Sequence, residues 1–195
     1  MIPKATPTLR LALLLTAALN LNGCTSLINA VTSDPIQPDP SETSIGTDID
    51  DWQMSTMIGV NIKKASPQLA SSHINVSTYN KVVLLTGEVA SGEQRTLAGT
   101  TARNYRGVRQ VYNELKLQGS SSLLARTNDG WLTTKVKTKL LANNEIASSQ
   151  IEVVTESGTV YLMGVVSRSA ADRATTVASN TGGVIKVVRV FEYLD

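Results

Sequence analysis

Few residues of this chain have the types and spacing that catalysis requires. Its 195 residues include one His, His73, and one Cys, Cys24, so a cysteine nucleophile activated by an imidazole base would need that single pair. His73 has Gln150 as its counterpart in an internal repeat, which favours a solvated turn residue over a catalytic base. Asp50 and Asp51 are better explained as helix N-caps than as an acid–base pair, and no metal-ligand spacing occurs. The sequence therefore predicts a protein that is not an enzyme and that holds no cofactor or metal.

Binding to a charged surface is the chemistry that one predicted helix favours. Advancing about 100° per residue from Trp131 places Leu132, Val136 and Leu140 on one side, the predicted core face. The predicted phospholipid-binding residues are Trp131, Thr134, Lys135, Lys137, Thr138, Lys139 and Leu141. Large apolar side chains framed by lysines are typical of a helix that lies on an anionic membrane surface. The alternative is that Trp131 packs against another domain and that the lysines are merely solvated.

The corresponding helix of the other repeat has a different outer face. Its core positions match, but its outer positions hold Gln53, Met57, Gly59, Asn61 and Lys63. We therefore expect only the second repeat to carry an exposed aromatic and a leucine among lysines.

The elements around these helices come from a unit that occurs twice. Residues 74–89 and 151–166 align without a gap, and Ile, Val, Thr, Val, Leu, Gly and Val recur in register. Each copy has two β-branched runs around a polar turn, which predicts a hairpin. The predicted core positions of the second strand are Val83, Leu85, Val160 and Leu162. The other face is more apolar in the second copy, which predicts burial of both faces there, against the sister domain.

Helix signals and a further strand flank each hairpin. Asp50-Asp51 and Asn128-Asp129 are predicted caps of the first helices, and Ser91 and Ser169 begin capping boxes for the second helices. Residues 108–117 and 184–194 are predicted strands. The fold class is therefore α+β, with two tandem α-β-β-α-β domains, each a three-stranded mixed sheet with two helices on one face. The predicted boundaries are 1–23 for a signal peptide, 24–47 for a flexible tether, 48–118 and 128–195 for the domains, and 119–127 for a linker.

The first 23 residues have the features of a targeting segment. Lys4 and Arg10 precede an apolar run at residues 11–19, shorter than the about 20 residues that a bilayer-spanning helix needs. The run leads to Leu21-Asn22-Gly23-Cys24, which resembles the lipobox of bacterial lipoproteins. This resemblance implies that Cys24 is the lipidated first residue of the mature chain, and Thr25 after it implies sorting to the outer membrane. The alternative is a plain secretory signal with an incidental Cys.

The repeated unit resembles the BON domain. The residues that carry the resemblance are the V-x-L-x-G-x-V strand of each hairpin and the Gly-Val-x-x-Val at residues 107–111 and 183–187. A lipobox followed by two such domains is similar to the dual-BON outer-membrane lipoproteins. The resemblance implies a non-enzymatic protein that is anchored in the outer membrane and faces the periplasm. It also implies binding of an anionic phospholipid, such as phosphatidylglycerol, through the second domain, support of outer-membrane integrity, and collection at division sites.

Two function classes stay open. The first is a lipid-binding module for anionic membrane. The second is a scaffold that uses its apolar strand face to dock to an envelope protein, such as the outer-membrane protein assembly machinery or a regulator of cell-wall hydrolases. The formal net charge of +2 argues against a general nucleic-acid binder.

Overall fold

The computed structural model describes residues 47–119 and 123–194. The predicted signal peptide, Cys24 and all but the last residue of the predicted tether lie outside these residues. None of the helices in the described part of the chain is both long enough and apolar enough to cross a membrane.

Both domains have the predicted order of elements. The first contains α1 (Thr47–Ala65), α2 (Pro67–Ser71), β1 (His73–Tyr79), β2 (Val82–Val89), α3 (Gly92–Arg103), β3 (Gln110–Asn113) and β4 (Lys116–Leu117). The second contains α4 (Leu123–Leu141), a 3-10 turn (Ser148–Gln150), β5 (Ile151–Glu156), β6 (Thr159–Val166), α5 (Arg168–Ser179) and β7 (Lys186–Tyr193). The short helix α2 is an addition, because Pro67 both ends α1 and occupies the first turn of a new helix capped by Ser66.

Each sheet is mixed, as predicted. In the first, β2 pairs antiparallel with β1 and parallel with β3 and β4. In the second, β6 pairs antiparallel with β5 and parallel with β7. The third strand of the first sheet is interrupted between Asn113 and Lys116 without a change of register. The interruption lies opposite Gly87, whose φ of +113° departs from strand geometry.

The first helix of each domain begins earlier than its predicted cap. Helix α1 starts at Thr47 rather than at Asp50, and α4 starts at Leu123. Residues 123–127 of the predicted linker are therefore helical, and Asp129 lies inside α4. The interpretation of these acidic residues as N-caps is wrong. The capping residue of α5 is Ser167, whose Oγ accepts from the Ala170 amide at 3.3 Å, rather than the predicted Ser169.

Asp51 and Asp129 bind the hairpin turns instead of capping helices. The Asp129 carboxylate accepts from the amides of Ser157 and Gly158 at 2.8 and 2.9 Å. Asp51 accepts in the same way from the amides of Asn80 and Lys81. All four turn residues have positive φ, between +49° and +71°, as a type I′ turn requires. A carboxylate from the first helix therefore fixes each hairpin to that helix.

The helices pack on one face of each sheet. The predicted core residues Val83, Leu85, Val160 and Leu162 are all buried. In the first domain they pack with Ile58, Leu69 and Ala98 among others, and in the second with Val136, Leu140 and Ala174. Small residues on α3 and α5 let these helices approach the sheet closely.

The helix-free faces of the two sheets pack against each other. Their buried apolar side chains form one continuous cluster of Val82, Leu84, Tyr161, Met163 and Val190. At its edge, Arg109 of the first domain forms a salt bridge with Glu192 of the second. The second repeat therefore buries both faces of its sheet, as predicted: one face packs against its own helices and the other against the sister domain. The sheet of the first repeat is buried in the same way.

Candidate functional site

Helix α4 carries all seven predicted site residues, and its inner face fixes its orientation. Leu132, Val136 and Leu140 are buried, and the last two belong to the core of the second domain. Since residues on one face of a helix recur every three or four positions, the site residues are directed away from that core.

The apolar members of the predicted site are strongly exposed. Trp131 is 62% exposed and Leu141 is 69% exposed. Thr134 and Thr138 lie between them on the surface, and their hydroxyls donate to the carbonyls of Gly130 and Thr134, four residues earlier in the helix. The alternative that Trp131 packs against the first domain is therefore wrong.

The three lysines differ in their partners. Lys137 forms a salt bridge with Glu152, with Nζ 3.1 Å from Oε1. Lys135 Nζ lies 4.1 Å from the centroid of the Trp131 ring and donates to the Gly182 carbonyl at 2.8 Å. Lys139 donates to the Asn180 carbonyl at 3.2 Å. Among the described residues, no carboxylate lies within 4.0 Å of Lys135 or Lys139, so these two retain an unneutralised charge.

An additional apolar residue, Ile185, extends this surface. It is 81% exposed, and its amide donates to the Gly158 carbonyl at 2.9 Å. The amide of Gly158 in turn donates to Asp129, two residues before Trp131, so Ile185 lies beside this part of α4. Ile185 is not among the predicted site residues. A comparison of the repeats could have found it, because the second repeat has an isoleucine where the first has Arg109 after Gly107-Val108.

One expected difference between the domains is smaller than predicted. Trp52 in α1 is 70% exposed, so an exposed aromatic is not restricted to the second domain. Trp52 matches Gly130, one position before Trp131. The lysine-framed combination of Trp131 with Leu141 remains specific to α4, because the positions that match Lys135, Lys137 and Lys139 hold Met57, Gly59 and Asn61.

His73 differs from its predicted role as a solvated turn residue. It begins β1, its side chain is partly buried, and Nε2 lies 3.6 Å from Oε2 of Glu156 in the second domain. Burial raises the pKa of Glu156, and the nearby carboxylates of Glu88 and Asp129 raise it further, whereas a hydrogen bond from Asn75 and the proximity of His73 lower it. The junction between the domains is therefore a polar cluster at one edge and an apolar contact elsewhere.

Comparison with known proteins identifies a matching family and several relatives of this chain. The BON-domain family model matches residues 50–119 and 128–195. The outer membrane lipoprotein DolP of Haemophilus influenzae is 35% identical over 191 residues, covering 97% of this chain and 98% of that protein. The 21 kDa hemolysin of Actinobacillus pleuropneumoniae is 35% identical over 160 residues, or 82% and 80% of the two chains. The osmotically-inducible protein Y of Escherichia coli K12 is 32% identical over 183 residues, or 91% and 90%.

Proposed function

Since the chain belongs to the BON-domain family and carries two such domains in tandem, we propose that it is a non-enzymatic outer-membrane lipoprotein whose second domain binds anionic phospholipid. Cys24 would be the lipid anchor and the domains would face the periplasm. The name of the Haemophilus relative, an outer membrane lipoprotein similar over nearly the whole length of both chains, supports the location.

The exposed face of α4 is the observation that carries the lipid-binding proposal. A tryptophan and a leucine protrude from it, which is costly in water and favourable at the boundary between headgroups and acyl chains. Lys135 and Lys139 add two positive charges that have no carboxylate partner among the described residues. Each is worth about 1 kcal/mol near an anionic surface, so together they favour phosphatidylglycerol over zwitterionic lipid by about thirtyfold, at about 1.4 kcal/mol per factor of ten.

The lipid anchor makes such modest affinity sufficient. A domain attached to the membrane by a tether meets that membrane at high effective concentration. The anchor would then set the location of the protein, and α4 would set its lipid preference. The proposal extends to support of outer-membrane integrity and collection at division sites, which rest on the family resemblance.

The test is vesicle co-sedimentation of residues 24–195 with Cys24→Ser, which removes both the apolar run at residues 11–19 and the acyl chains as sources of binding. We expect binding to vesicles that contain phosphatidylglycerol and much weaker binding to phosphatidylcholine vesicles. Trp131→Glu should abolish binding, because it places a negative charge at the headgroup boundary.

The matched control is Trp52→Glu, which alters an equally exposed tryptophan on the first helix of the other domain. It should bind as the parent protein does. Equal binding to both lipid types, or full binding by Trp131→Glu, would contradict the proposal.

The alternative function, a docking scaffold, required that the apolar strand faces be exposed. The apolar strand faces are buried between the two domains, so in this arrangement they offer no docking site. If the vesicle test fails, a protein partner of the α4 face becomes the better hypothesis.

A further inference from the structure

Three potential metal ligands from both domains meet at the polar edge of the domain junction. His73 and Glu88 are directly opposite each other in the β1–β2 pair, so their side chains share the sheet face that looks toward the second domain. Glu156 ends β5 of the second domain. One ligand atom from each of the three residues lies within 4.8 Å of the others.

The two carboxylates are buried. Glu88 is 1% exposed and Glu156 is 3% exposed, and burying two like charges together is costly unless a positive charge offsets them. Asp129 adds a third negative charge close by. A divalent cation bound by these groups would offset part of this charge.

Other polar groups of the same sheet face would complete a coordination shell. Asn75 Nδ2 lies 2.9 Å from Glu156 Oε2 and 3.3 Å from His73 Nε2, and turning the amide would present its oxygen to the same point. Thr86, opposite Asn75 in the strand pair, is buried, and its Oγ1 has no hydrogen-bond partner among the described residues. Since buried hydroxyls are normally hydrogen-bonded, a metal-bound water here would supply the missing partner.

A cavity of about 310 Å³ adjoins the cluster and gives an ion a route to it. Its lining comes from both domains and includes His73 and Glu156, together with Asn75, Thr133 and Thr155. The volume is ample for a hydrated ion.

The ligand types indicate which ion fits. One imidazole nitrogen and carboxylate oxygens suit zinc and its neighbours better than magnesium or calcium, which take oxygen ligands. Two ligands of a tetrahedral zinc ion, each about 2.0–2.1 Å from the metal, are about 3.3–3.4 Å apart. His73 Nε2 and Glu156 Oε2, at 3.6 Å, are already close to that separation.

We propose that His73, Glu88 and Glu156 form a zinc-type divalent metal site that clamps the two BON domains together. Because the three residues are far apart in sequence, no local ligand motif reveals the site. None of its three ligands lies on α4, so the site concerns the coupling of the domains and not the residues proposed to bind lipid.

The test is calorimetric titration of ZnCl₂ into the full chain, purified in detergent and treated with EDTA before dialysis. We expect one saturable site per chain and a higher Tm with zinc. His73→Gln, Glu88→Gln and Glu156→Gln should each weaken zinc binding by at least about tenfold, since even an outer-shell partner is worth 10–100-fold in affinity.

The matched control is Glu152→Gln, which alters a carboxylate of the same strand as Glu156 that is paired with Lys137. It should leave zinc affinity unchanged. Absence of saturable zinc binding would overturn the proposal. Undiminished binding in all three glutamine variants would also overturn it, because zinc would then bind elsewhere.

Discussion

At the scale of single residues, pairing decides which charges of α4 can act on a membrane. Lys137 already has a carboxylate partner in Glu152, so its attraction to an anionic surface is largely cancelled. Lys135 and Lys139 bond to backbone carbonyls, which leaves their charges uncompensated. Lys135 also lies over the Trp131 ring, where a cation–π contact holds both groups at the surface.

This difference gives a prediction for the three lysines. Lys135→Gln combined with Lys139→Gln should weaken binding to phosphatidylglycerol vesicles by about thirtyfold, from about 1 kcal/mol per lysine. The salt dependence of binding should also become less steep. Lys137→Gln combined with Glu152→Gln should change the affinity by less than about threefold, because it removes an ion pair whose net charge is zero. Equal losses from this pair of changes and from Lys135→Gln with Lys139→Gln in co-sedimentation would contradict this assignment.

At the scale of elements, the joint between first helix and hairpin is built the same way in both domains. A type I′ turn points two amides in one direction, and an aspartate from the helix accepts from both. The aspartates are buried, so removing either carboxylate takes the charged acceptor from two amides of a turn that has little solvent around it. Asp129 also accepts from the amide of Gly158, whose carbonyl accepts from Ile185. Asp129 therefore helps to position Ile185 beside α4.

We predict that Asp129→Ala destabilises the protein by about 2–3 kcal/mol, because one buried and one partly buried amide lose a charged acceptor. Urea denaturation measures the loss. Asp172→Ala serves as the control, since Asp172 forms an exposed salt bridge with Arg189 that is worth at most about 1 kcal/mol. A stability of the Asp129→Ala protein equal to that of the control would show that the turn does not need the carboxylate.

Two glycines of the second domain should respond to alanine in opposite directions. A Cβ at Gly164 would lie 2.3 Å from the Gln150 carbonyl oxygen, so Gly164→Ala must displace the backbone at Gln150, directly before β5. Such overpacking typically costs about 1–3 kcal/mol. A Cβ at Gly130, inside α4, would meet nothing within 4 Å, and Gly130→Ala should raise stability by up to about 1 kcal/mol. Thermal unfolding of both variants checks the pair, and a Gly164→Ala protein as stable as wild type would contradict the close approach of the strands.

At the scale of the whole molecule, the two domains share a third apolar cluster between their sheets. Domains of this size are marginally stable alone, and the shared cluster removes apolar surface from water on both. Tyr161 is a buried member of this cluster. Burial raises the pKa of Tyr161 to about 12, with smaller contributions from the charges of Glu114 and Glu156.

The raised pKa of Tyr161 predicts how stability changes in alkali. The folded state resists ionisation of a group that ionises near its model value of 10.0 when unfolded. Stability from this group is therefore complete below about pH 10 and is lost as the pH rises toward 12, by at most about 1.4 kcal/mol per pH unit. Tyr161→Phe should flatten this loss in urea denaturation, whereas the exposed Tyr193→Phe should not. Parallel curves for wild type and Tyr161→Phe above pH 10 would contradict the prediction.

The sequence alone determined every feature that depends on local periodicity. The internal repeat gave the two α-β-β-α-β domains, and alternation along the strands gave Val83, Leu85, Val160 and Leu162 as core. Helical spacing placed Trp131 and Leu141 on the outer face of α4, opposite Leu132. These inferences held because side-chain direction follows from backbone geometry within one element.

Only the tertiary structure decided how groups from separate elements meet. It placed Asp129 on a turn rather than at a cap, gave Lys137 a partner, and brought Ile185 beside α4. It also joined His73 and Glu88 with Glu156 across the domain junction. Contacts of this kind depend on the packing of distant segments, so no spacing along the chain encodes them. From the sequence alone, Asp129 was therefore predicted as a helix cap and His73 as a solvated turn residue.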